Sequence, residues 1–303
     1  MKVDVYIPVY NPGEKFLSLL NMLKRQKGIA FTVHVIDSAA MGPEYRYALK
    51  GLESATYRQI PASLFNHGGT RQRCLEENPN SDICIFLTQD AVPADEYAIA
   101  NLLKIFADPM IGCAYGRQLP YKDATPIAEF ARCFNYKEIS YTYCFSDRLE
   151  HGIKTAFCSD SFAAYRYSAM KAVGGFPLNV ILSEDMYVAA KMLMAGWKVS
   201  YRADAQVYHS HNYTILEEFK RYFDIGAFQR RESWIRRTFG KAEGEGKKFV
   251  CKEIKFLFAR YPYLIPALIV RNIMKYLAYR LGLKEELIPK SIKKRISMNP
   301  SYW

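Results

Sequence analysis

The first half of the chain alternates short apolar runs with longer stretches in which apolar residues recur every three or four positions. The short runs have the length and composition of buried strands, and the longer stretches have the period of helices that place one face on a core. In chain order the pattern predicts strand 3–8, helix 12–26, strand 31–36, a short strand 58–61, helix 70–77, strand 82–87 and helix 95–106. This alternation is typical of a parallel sheet with crossover helices, and so of a nucleotide-binding α/β array.

The pattern changes at about residue 112, where aromatic connections lengthen and the strands become irregularly spaced. Here we expect strand 161–167, helix 184–195 and two short strands at 198–201 and 206–208, which would continue the sheet as a mixed one. The stretch 240–248 is rich in Gly, Glu and Lys and predicts a linker, with helices at about 249–260 and 266–281 after it. We therefore divide the chain into a catalytic unit, 1–240, with halves at 1–111 and 112–240, and a tail, 241–303.

Charge separates the tail from the rest of the chain. The 303 residues carry 42 Lys and Arg against 30 Asp and Glu, a net charge of +12, and positions 241–303 hold 14 of those basic and five of those acidic residues. The body is therefore close to neutral, which argues against a nucleic-acid-binding protein. A tail with this excess of positive charge indicates an anionic surface as its partner.

The segment 264–283 places Arg271 and Lys275 one helical turn apart, with aliphatic residues on its other faces. It is too short and too charged to span a bilayer, and it suits a helix that lies on an anionic membrane surface. The alternative is a helix that packs on the body, or on a second copy of the chain as a homodimer contact. The absence of a signal-peptide pattern and of paired cysteines predicts a cytoplasmic protein that is peripheral on the membrane.

The segment Phe65-Asn66-His67-Gly68-Gly69-Thr70-Arg71 carries the strongest chemical pattern in the chain. Two glycines permit close approach of the backbone to a ligand, and the amides that open a helix point towards anions. The guanidinium of Arg71 and the imidazole of His67 both suit a diphosphate. The alternative for such a pattern alone is a Gly-Gly turn beside a solvated Arg.

Several polar residues follow predicted strands and should meet at one edge of the sheet, because ligands bind at the carboxyl ends of parallel strands. They are Pro8, Tyr10, Asp37, Gln89 and Asp90. Asp37 could accept from a base or ribose, although an aspartate at a strand end is equally typical of a turn. Asp160 is a candidate for sugar hydroxyls. His209 could join Asp90 around a divalent cation, and the alternative is two neighbouring imidazoles, His209 and His211, without a metal.

Together with Val35-Ile36-Asp37-Ser38 and Thr88-Gln89-Asp90-Ala91, the 65–71 segment resembles the FNHGGTRN signature of family 2 glycosyltransferases, specifically their rhamnosyltransferase branch, over about residues 2–240. The resemblance implies a GT-A type fold, a Rossmann-like mixed sheet flanked by helices, followed here by an amphipathic helical tail. It implies that Asp37 contacts the base of the nucleotide, that Asp185 is the catalytic base and that Glu184 orients Asp185 or the acceptor. Without the resemblance, Ser183-Glu184-Asp185 is an ordinary acidic first turn of a helix.

Members of this superfamily hold Mg²⁺ or Mn²⁺ with an Asp-x-Asp motif, which here reads Gln89-Asp90-Ala91 and lacks one acid. The resemblance implies an inverting enzyme that transfers L-rhamnose from dTDP-L-rhamnose to a polyprenyl-diphosphate-linked glycan, for a surface polysaccharide such as an O-antigen, at the inner face of the cytoplasmic membrane. One alternative keeps the mechanism and uses UDP-hexose or UDP-galactofuranose. The other is a non-catalytic basic module that binds lipid or nucleic acid.

Overall fold

The computed structural model describes residues 1–240 and 243–303. Within these ranges nine strands form one mixed sheet, in the order β3-β2-β1-β4-β8-β6-β9-β5, with β7 paired to β9. The strands are β1 Val3–Val9, β2 Thr32–Asp37, β3 Ala55–Gln59, β4 Ile83–Leu87, β5 Val92–Pro93, β6 Ile111–Leu119, β7 Tyr141–Tyr143, β8 Phe162–Arg166 and β9 Lys198–Tyr208.

Helices cover the sheet and extend beyond it. In the described part of the chain they are α1 Glu14–Lys24, α2 Pro43–Lys50, α3 His67–Glu77, α4 Ala98–Leu103, α5 Pro126–Asn135, α6 Arg148–His151, α7 Tyr167–Ala172, α8 Glu184–Met194, α9 Ile215–Arg231, α10 Ser233–Phe239, α11 Glu243–Arg260, α12 Ile265–Gly282 and α13 Lys290–Ile296. Two buried clusters, one on each face of the sheet, form the core.

The four strands β3, β2, β1 and β4 are parallel, so their carboxyl ends meet at one edge of the sheet. The predicted parallel α/β array is confirmed there, with strand limits within a few residues of the expected ones. Strand β8 runs antiparallel to both β4 and β6, which makes the sheet mixed as the second half of the sequence predicted. The prediction of two short strands at 198–201 and 206–208 is wrong in one respect, because β9 is continuous from Lys198 to Tyr208. The pairing of β9 with β6 shifts register between Gly116 and Arg117.

The tail packs on the body where its helix α12 crosses α9. A Cβ on Gly282 would lie only 2.2 Å from the carbonyl oxygen of Phe223, so the two helix backbones are in contact at this crossing. Helix α11 begins at Glu243, within the stretch predicted as a linker. The start of the tail and part of that linker, residues 241 and 242, lie outside the described residues. No helix in the described ranges is long and apolar enough to cross a membrane.

The orientation of α12 adds to the sequence prediction, which did not specify which face of the helix lies inside. Arg271 donates to the carbonyl oxygen of Tyr213 and pairs with Glu218 of α9 at 2.9 Å, and Lys275 is buried beside Glu218 and Tyr222. The charged face of the helix therefore faces the body, as in the alternative of a helix that packs on the body. The face left exposed is apolar, and it consists of Ile269, Val270, Ile273, Tyr276, Leu277 and Leu281.

Candidate functional site

A cleft of about 260 Å³ lies at the carboxyl edge of the parallel strands. Its walls combine the end of β1, the end of β4 and the start of α3, and they are formed by Pro8, Val9, Tyr10, Phe65, His67, Arg71, Thr88 and Gln89. A second depression of about 350 Å³ shares Gln89 with it and adds Asp90 and the first turn of α1. The structure thus brings together most of the strand-end residues predicted from the sequence.

Gln89 explains the departure from an Asp-x-Asp pattern. Its side-chain amide accepts from the backbone N–H of Tyr10 at 2.8 Å and donates to the carbonyl oxygen of the same residue at 3.0 Å. The amide therefore ties the end of β1 to the end of β4. A carboxylate could accept one of these bonds and could not donate the other. Gln89 thus stabilises the wall of the cleft by linking two strand ends. Its contact with a nucleotide sugar stays a prediction.

The glycine-containing segment is itself the first turn of α3. The helix begins at His67, three residues earlier than predicted, and Asn66 caps it by accepting from the amide of Gly69. A Cβ on Gly68 would lie 1.8 Å from the carbonyl oxygen of Pro177, so this glycine is required for the packing of the 174–180 loop. The predicted approach of a phosphate to Gly68 and Gly69 is untested, and the packing supplies an independent reason for Gly68.

Arg71 lies in a buried ion-pair network. It is only 4% exposed; its Nε lies 2.7 Å from Asp160 Oδ2 and its Nη1 lies 2.9 Å from Glu184 Oε1. Asp160, itself buried, also accepts from the hydroxyl of Tyr165 at 2.6 Å. Much of the Arg71 guanidinium is therefore occupied by protein carboxylates, although the side chain still lines the cleft. The predicted diphosphate contact of Arg71 and sugar contact of Asp160 stay predictions.

Asp185 follows Glu184 at the start of α8 and is only partly buried. One of its oxygens accepts from the amide of Asp160 at 3.1 Å and the other from its neighbour Met186 at 2.7 Å. Burial, together with the negative charges of Asp160 and Glu184, raises the pKa of Asp185 to about 8. Burial would also raise the pKa of Glu184, but Arg71 outweighs it and holds that pKa below its usual value. The two adjacent acids thus differ in their affinity for a proton, and their roles as orienting residue and base stay predictions.

Ser183 places these two acids. It adopts a left-handed backbone conformation, with φ of 60° and ψ of 33°, directly before the helix. Such a conformation is uncommon for a residue other than Gly, Asn or Asp and stores strain. The turn sets where the first turn of α8 points, and it is the local feature that brings Glu184 to Arg71.

Asp90, His209 and His211 form a group whose ligand atoms all lie within 4.8 Å of one another. The Nε2 atoms of His209 and His211 lie 3.5 and 3.7 Å from the two carboxylate oxygens of Asp90. The imidazoles keep the pKa of Asp90 below its ordinary value against the effect of burial. Burial lowers the pKa of His209, and it lowers that of His211 to about 4. Both rings are therefore neutral near pH 7.

The hydrogen bond on the far side of His209 tests whether this group fits a cation. Its Nδ1 lies 2.8 Å from the amide oxygen of Gln118, which also accepts from Arg132 and can only accept. Nδ1 must therefore carry the proton, and the lone pair of Nε2 faces the carboxylate of Asp90. Two acceptors facing each other are repulsive unless a cation lies between them, and an outer partner of this type is typical of metal-binding histidines. The three residues fit a divalent cation.

Sequence reasoning missed several residues around the cleft. Gln118 is a polar residue in a buried strand, a signal that could have been noticed. Lys15, in the depression that contains Asp90, sits over the ring of Tyr121 at 4.0 Å, and the hydroxyl of Tyr121 donates to the backbone of Asp90. The sequence could not show which groups of the protein the Asp37 carboxylate binds. Its carboxylate is fully buried and accepts from Tyr57 and from the amides of the loop that follows β2. A contact of Asp37 with a base stays a prediction, and in the structure the residue closes this loop.

Comparison with known proteins relates this geometry to chemistry. The family described as glycosyl transferase family group 2 matches residues 85–281. The chain is 45% identical over 303 residues to the O-antigen chain rhamnosyltransferase RfbN of Salmonella typhimurium, covering all of this chain and 96% of that protein. It is 41% identical to the O-antigen chain rhamnosyltransferase WbaN of Salmonella anatum, with 98% and 94% covered.

Solved structures with low sequence identity share the fold. The mannosyltransferase PcManGT of Pyrobaculum calidifontis, in complex with GDP-Man and Mn²⁺, aligns with a TM-score of 0.61 at 15% identity, over 94% of this chain and 87% of that one. Residues 1–349 of TarS from S. aureus, in complex with UDP-GlcNAc, align with a TM-score of 0.54 at 16% identity, over 94% and 91%.

Proposed function

The chain belongs to glycosyl transferase family group 2, and from its similarity to two rhamnosyltransferases we propose that it transfers L-rhamnose from dTDP-L-rhamnose, with inversion, to a polyprenyl-diphosphate-linked glycan of an O-antigen. The protein is a glycosyltransferase, and the solved structures confirm the GT-A type fold that the sequence predicted. The observation that carries the rhamnosyl assignment is the identity with two O-antigen chain rhamnosyltransferases over nearly the whole chain.

The proposed reaction is a single displacement. An acceptor hydroxyl attacks the anomeric carbon of the donor, its proton passes to Asp185, and the nucleoside diphosphate leaves with the electrons of the broken bond. Asp185 suits this step because its raised pKa gives it a proton affinity close to that needed at neutral pH. Glu184, held ionised by Arg71, orients the turn that carries the base.

The leaving diphosphate needs positive charge around it. Lys15 and the amides of the first turn of α3 contribute it from the protein, and His67 lines the same cleft. Asp90, His209 and His211 would hold Mn²⁺ or Mg²⁺, and a bound cation would neutralise charge on the departing phosphates. Two imidazoles in the ligand set favour Mn²⁺ over Mg²⁺.

A donor panel tests the proposal. Purified protein is mixed with a membrane extract that contains lipid-linked glycan, and release of nucleoside diphosphate is measured with dTDP-L-rhamnose, UDP-hexose, UDP-galactofuranose or GDP-mannose. We expect acceptor-dependent release from dTDP-L-rhamnose alone. Preferential release from a UDP-sugar would replace the donor assignment and leave the family chemistry intact.

Removal of divalent cations should abolish transfer, and Mn²⁺ should restore it. We expect Asp90→Ala to lose the dependence on Mn²⁺ and to bind the nucleotide sugar at least tenfold more weakly. The reason is that loss of a ligand or its outer partner commonly costs 10- to 100-fold in metal affinity or activity. Calorimetric titration of the donor with and without Mn²⁺ measures it. The same titration on Gln118→Leu should show weaker Mn²⁺ dependence, since His209 loses the partner that sets its tautomer. Full wild-type activity in chelator would refute the metal site.

We further propose that the exposed apolar face of α12 rests on the anionic inner surface of the cytoplasmic membrane, where a lipid-linked acceptor would be found. The face comprises the six residues Ile269, Val270, Ile273, Tyr276, Leu277 and Leu281, each at least 42% exposed. Helix α11 adds exposed Ile254 and Phe258 next to exposed Lys255 and Arg260. An apolar face of this size bordered by basic residues matches the chemistry of an anionic lipid surface.

Point substitutions test the membrane face better than truncation, because the tail also contributes buried residues such as Leu268 and Trp303 to the core. The double variant Ile273→Gln/Leu277→Gln should bind phosphatidylglycerol vesicles roughly 30-fold more weakly, since each side chain loses on the order of 1 kcal/mol of apolar burial. High salt should weaken binding of the wild type without abolishing it, because screening removes only the charge contribution. Vesicle flotation measures both effects.

The matched control replaces equally apolar and exposed residues outside the tail. The variant Ile139→Gln/Leu149→Gln removes side chains that are 78% and 85% exposed, and it should float as the wild type does. Equal flotation of the two double variants would contradict the membrane face. If the α12 variant instead abolished a dimer seen by analytical ultracentrifugation, the face would be a contact between two copies of the chain.

A further inference from the structure

The last residues of the described chain return to the donor cleft. Asp224, on α9, is fully buried, and its Oδ2 accepts from the backbone amides of Met298 at 3.0 Å and Asn299 at 3.3 Å. The side-chain amide of Asn299 donates to the same oxygen at 3.1 Å. A single buried carboxylate therefore fixes the position of a segment that is about 75 residues away in sequence.

The other end of the Asn299 side chain faces His67. Its Oδ1 lies 3.2 Å from His67 Nε2, across a sequence separation of 232 residues. The second ring nitrogen, Nδ1, lies 3.9 Å from Glu184 Oε1. The amide oxygen can only accept, so Nε2 carries the proton and donates it to Asn299. At 3.9 Å, Glu184 is beyond hydrogen-bond distance of Nδ1, and the ring makes an edge-to-face contact with Phe65. His67 is thus held through Nε2 by Asn299, while its ring still lines the cleft.

We propose that Asn299 is a positioning residue for the donor site, which acts by holding the His67 imidazole at the angle required for the diphosphate of the nucleotide sugar. The inference rests on the proposed function, because it assigns His67 to the donor. Neither the 65–71 segment nor the tail composition predicts it, since the contact exists only through the fold. It adds a residue outside the matched range 85–281 to the machinery of the reaction.

Anchoring of the tail does not depend on this contact. The backbone amides of Met298 and Asn299 remain on Asp224 whichever side chain follows. Trp303 is buried against Phe223, and Arg231 binds Glu285 at 2.8 Å. The hydrogen bond from His67 to Asn299 Oδ1 is therefore not needed to anchor the tail. It orients the ring, and its loss should leave the tail in place.

A double-mutant cycle separates positioning from packing. Asn299→Ala should raise the donor KM by about three- to tenfold, the effect of losing one hydrogen bond, with a smaller change in kcat. His67→Ala should raise it at least as much, and the double variant should be no worse than His67→Ala alone, because Asn299 acts through His67. Additive effects, or an unchanged KM in Asn299→Ala, would overturn the proposal.

Two further measurements distinguish a change at His67 from a general disturbance of the tail. Tyr302→Phe removes a tail hydrogen bond to Arg231 without touching His67, and it should leave the donor KM unchanged. In protein without any donor, the ¹⁵N resonance of the His67 ring should shift in Asn299→Ala and stay unchanged in Tyr302→Phe. The cycle uses whichever nucleotide sugar the wild type accepts, so an incorrect donor assignment would appear in the panel and not in the cycle. An unshifted His67 resonance would refute the positioning role by itself.

Discussion

Replacing Asp185 with Asn is expected to lower the rate of sugar transfer by roughly 10²- to 10⁴-fold, the usual contribution of a general base. Affinity for the nucleotide sugar should change by no more than a few-fold, because the base acts on the acceptor hydroxyl and Asn keeps the shape of the side chain. Single-turnover kinetics and donor titration measure the two quantities separately. Wild-type turnover in this variant would remove Asp185 from its role.

The pH dependence provides an independent test of the same residue. The base works only when ionised, and burial beside Asp160 and Glu184 raises the pKa of Asp185 to about 8. The rate at limiting donor should therefore rise as the pH increases through about 8. This transition lies well above the pH range in which an ordinary carboxyl ionises. Glu150→Gln, at an exposed acid, should keep this profile, and a pH-independent wild-type rate between pH 5 and 8 would contradict it.

Arg71→Met is expected to lower the free energy of unfolding by about 3–5 kcal/mol, because it leaves Asp160 and Glu184 as buried charges without their cation. Without Arg71 the folded pKa of both carboxyls rises, so they take up protons more readily than in the unfolded chain. The deficit should therefore be largest at neutral pH and shrink as the pH falls. Urea unfolding at pH 5 and pH 7.5 measures both predictions.

A surface arginine supplies the comparison. Arg25 pairs with Glu96 on the exposed side of the body, and Arg25→Met should cost no more than about 1 kcal/mol. Arg71→Lys keeps the charge, but a lysine cannot bind both carboxylates in the same plane. Its loss of unfolding free energy should therefore fall between those of Arg71→Met and Arg25→Met. If Arg71→Met cost no more than Arg25→Met, the network would not contribute to stability.

The sequence was sufficient for the half of the site that depends on strand ends. Pro8, Tyr10, Gln89 and Asp90 meet because parallel strands place their carboxyl ends at one edge, a rule that needs only the strands to be recognised. It was not sufficient for the ion pairs. Arg71 meets Asp160 and Glu184 from 89 and 113 residues away, and no local pattern reports which carboxylates an arginine will find.

The tail shows a second limit of sequence reasoning. Periodicity separated a charged face of α12 from an apolar one, and it could not say which of the two lies inside. The answer depends on the partners that other helices provide. Glu218 of α9 receives Arg271 and Lys275, and Glu253 of α11 receives Asn272. Hydrophobicity alone favours the opposite orientation.

These buried charges also prevent α12 from rotating. Turning the helix to hide its aliphatic side would pull Lys275 and Arg271 away from Glu218 and leave buried charges uncompensated, which costs several kcal/mol. The apolar face is consequently already folded and exposed to water before any lipid is present. Contact with a bilayer should then require no coil-to-helix transition, unlike the binding of peptides that fold as they insert, and the ordering cost of docking is avoided. The far-ultraviolet circular dichroism of the protein should accordingly be the same with and without vesicles.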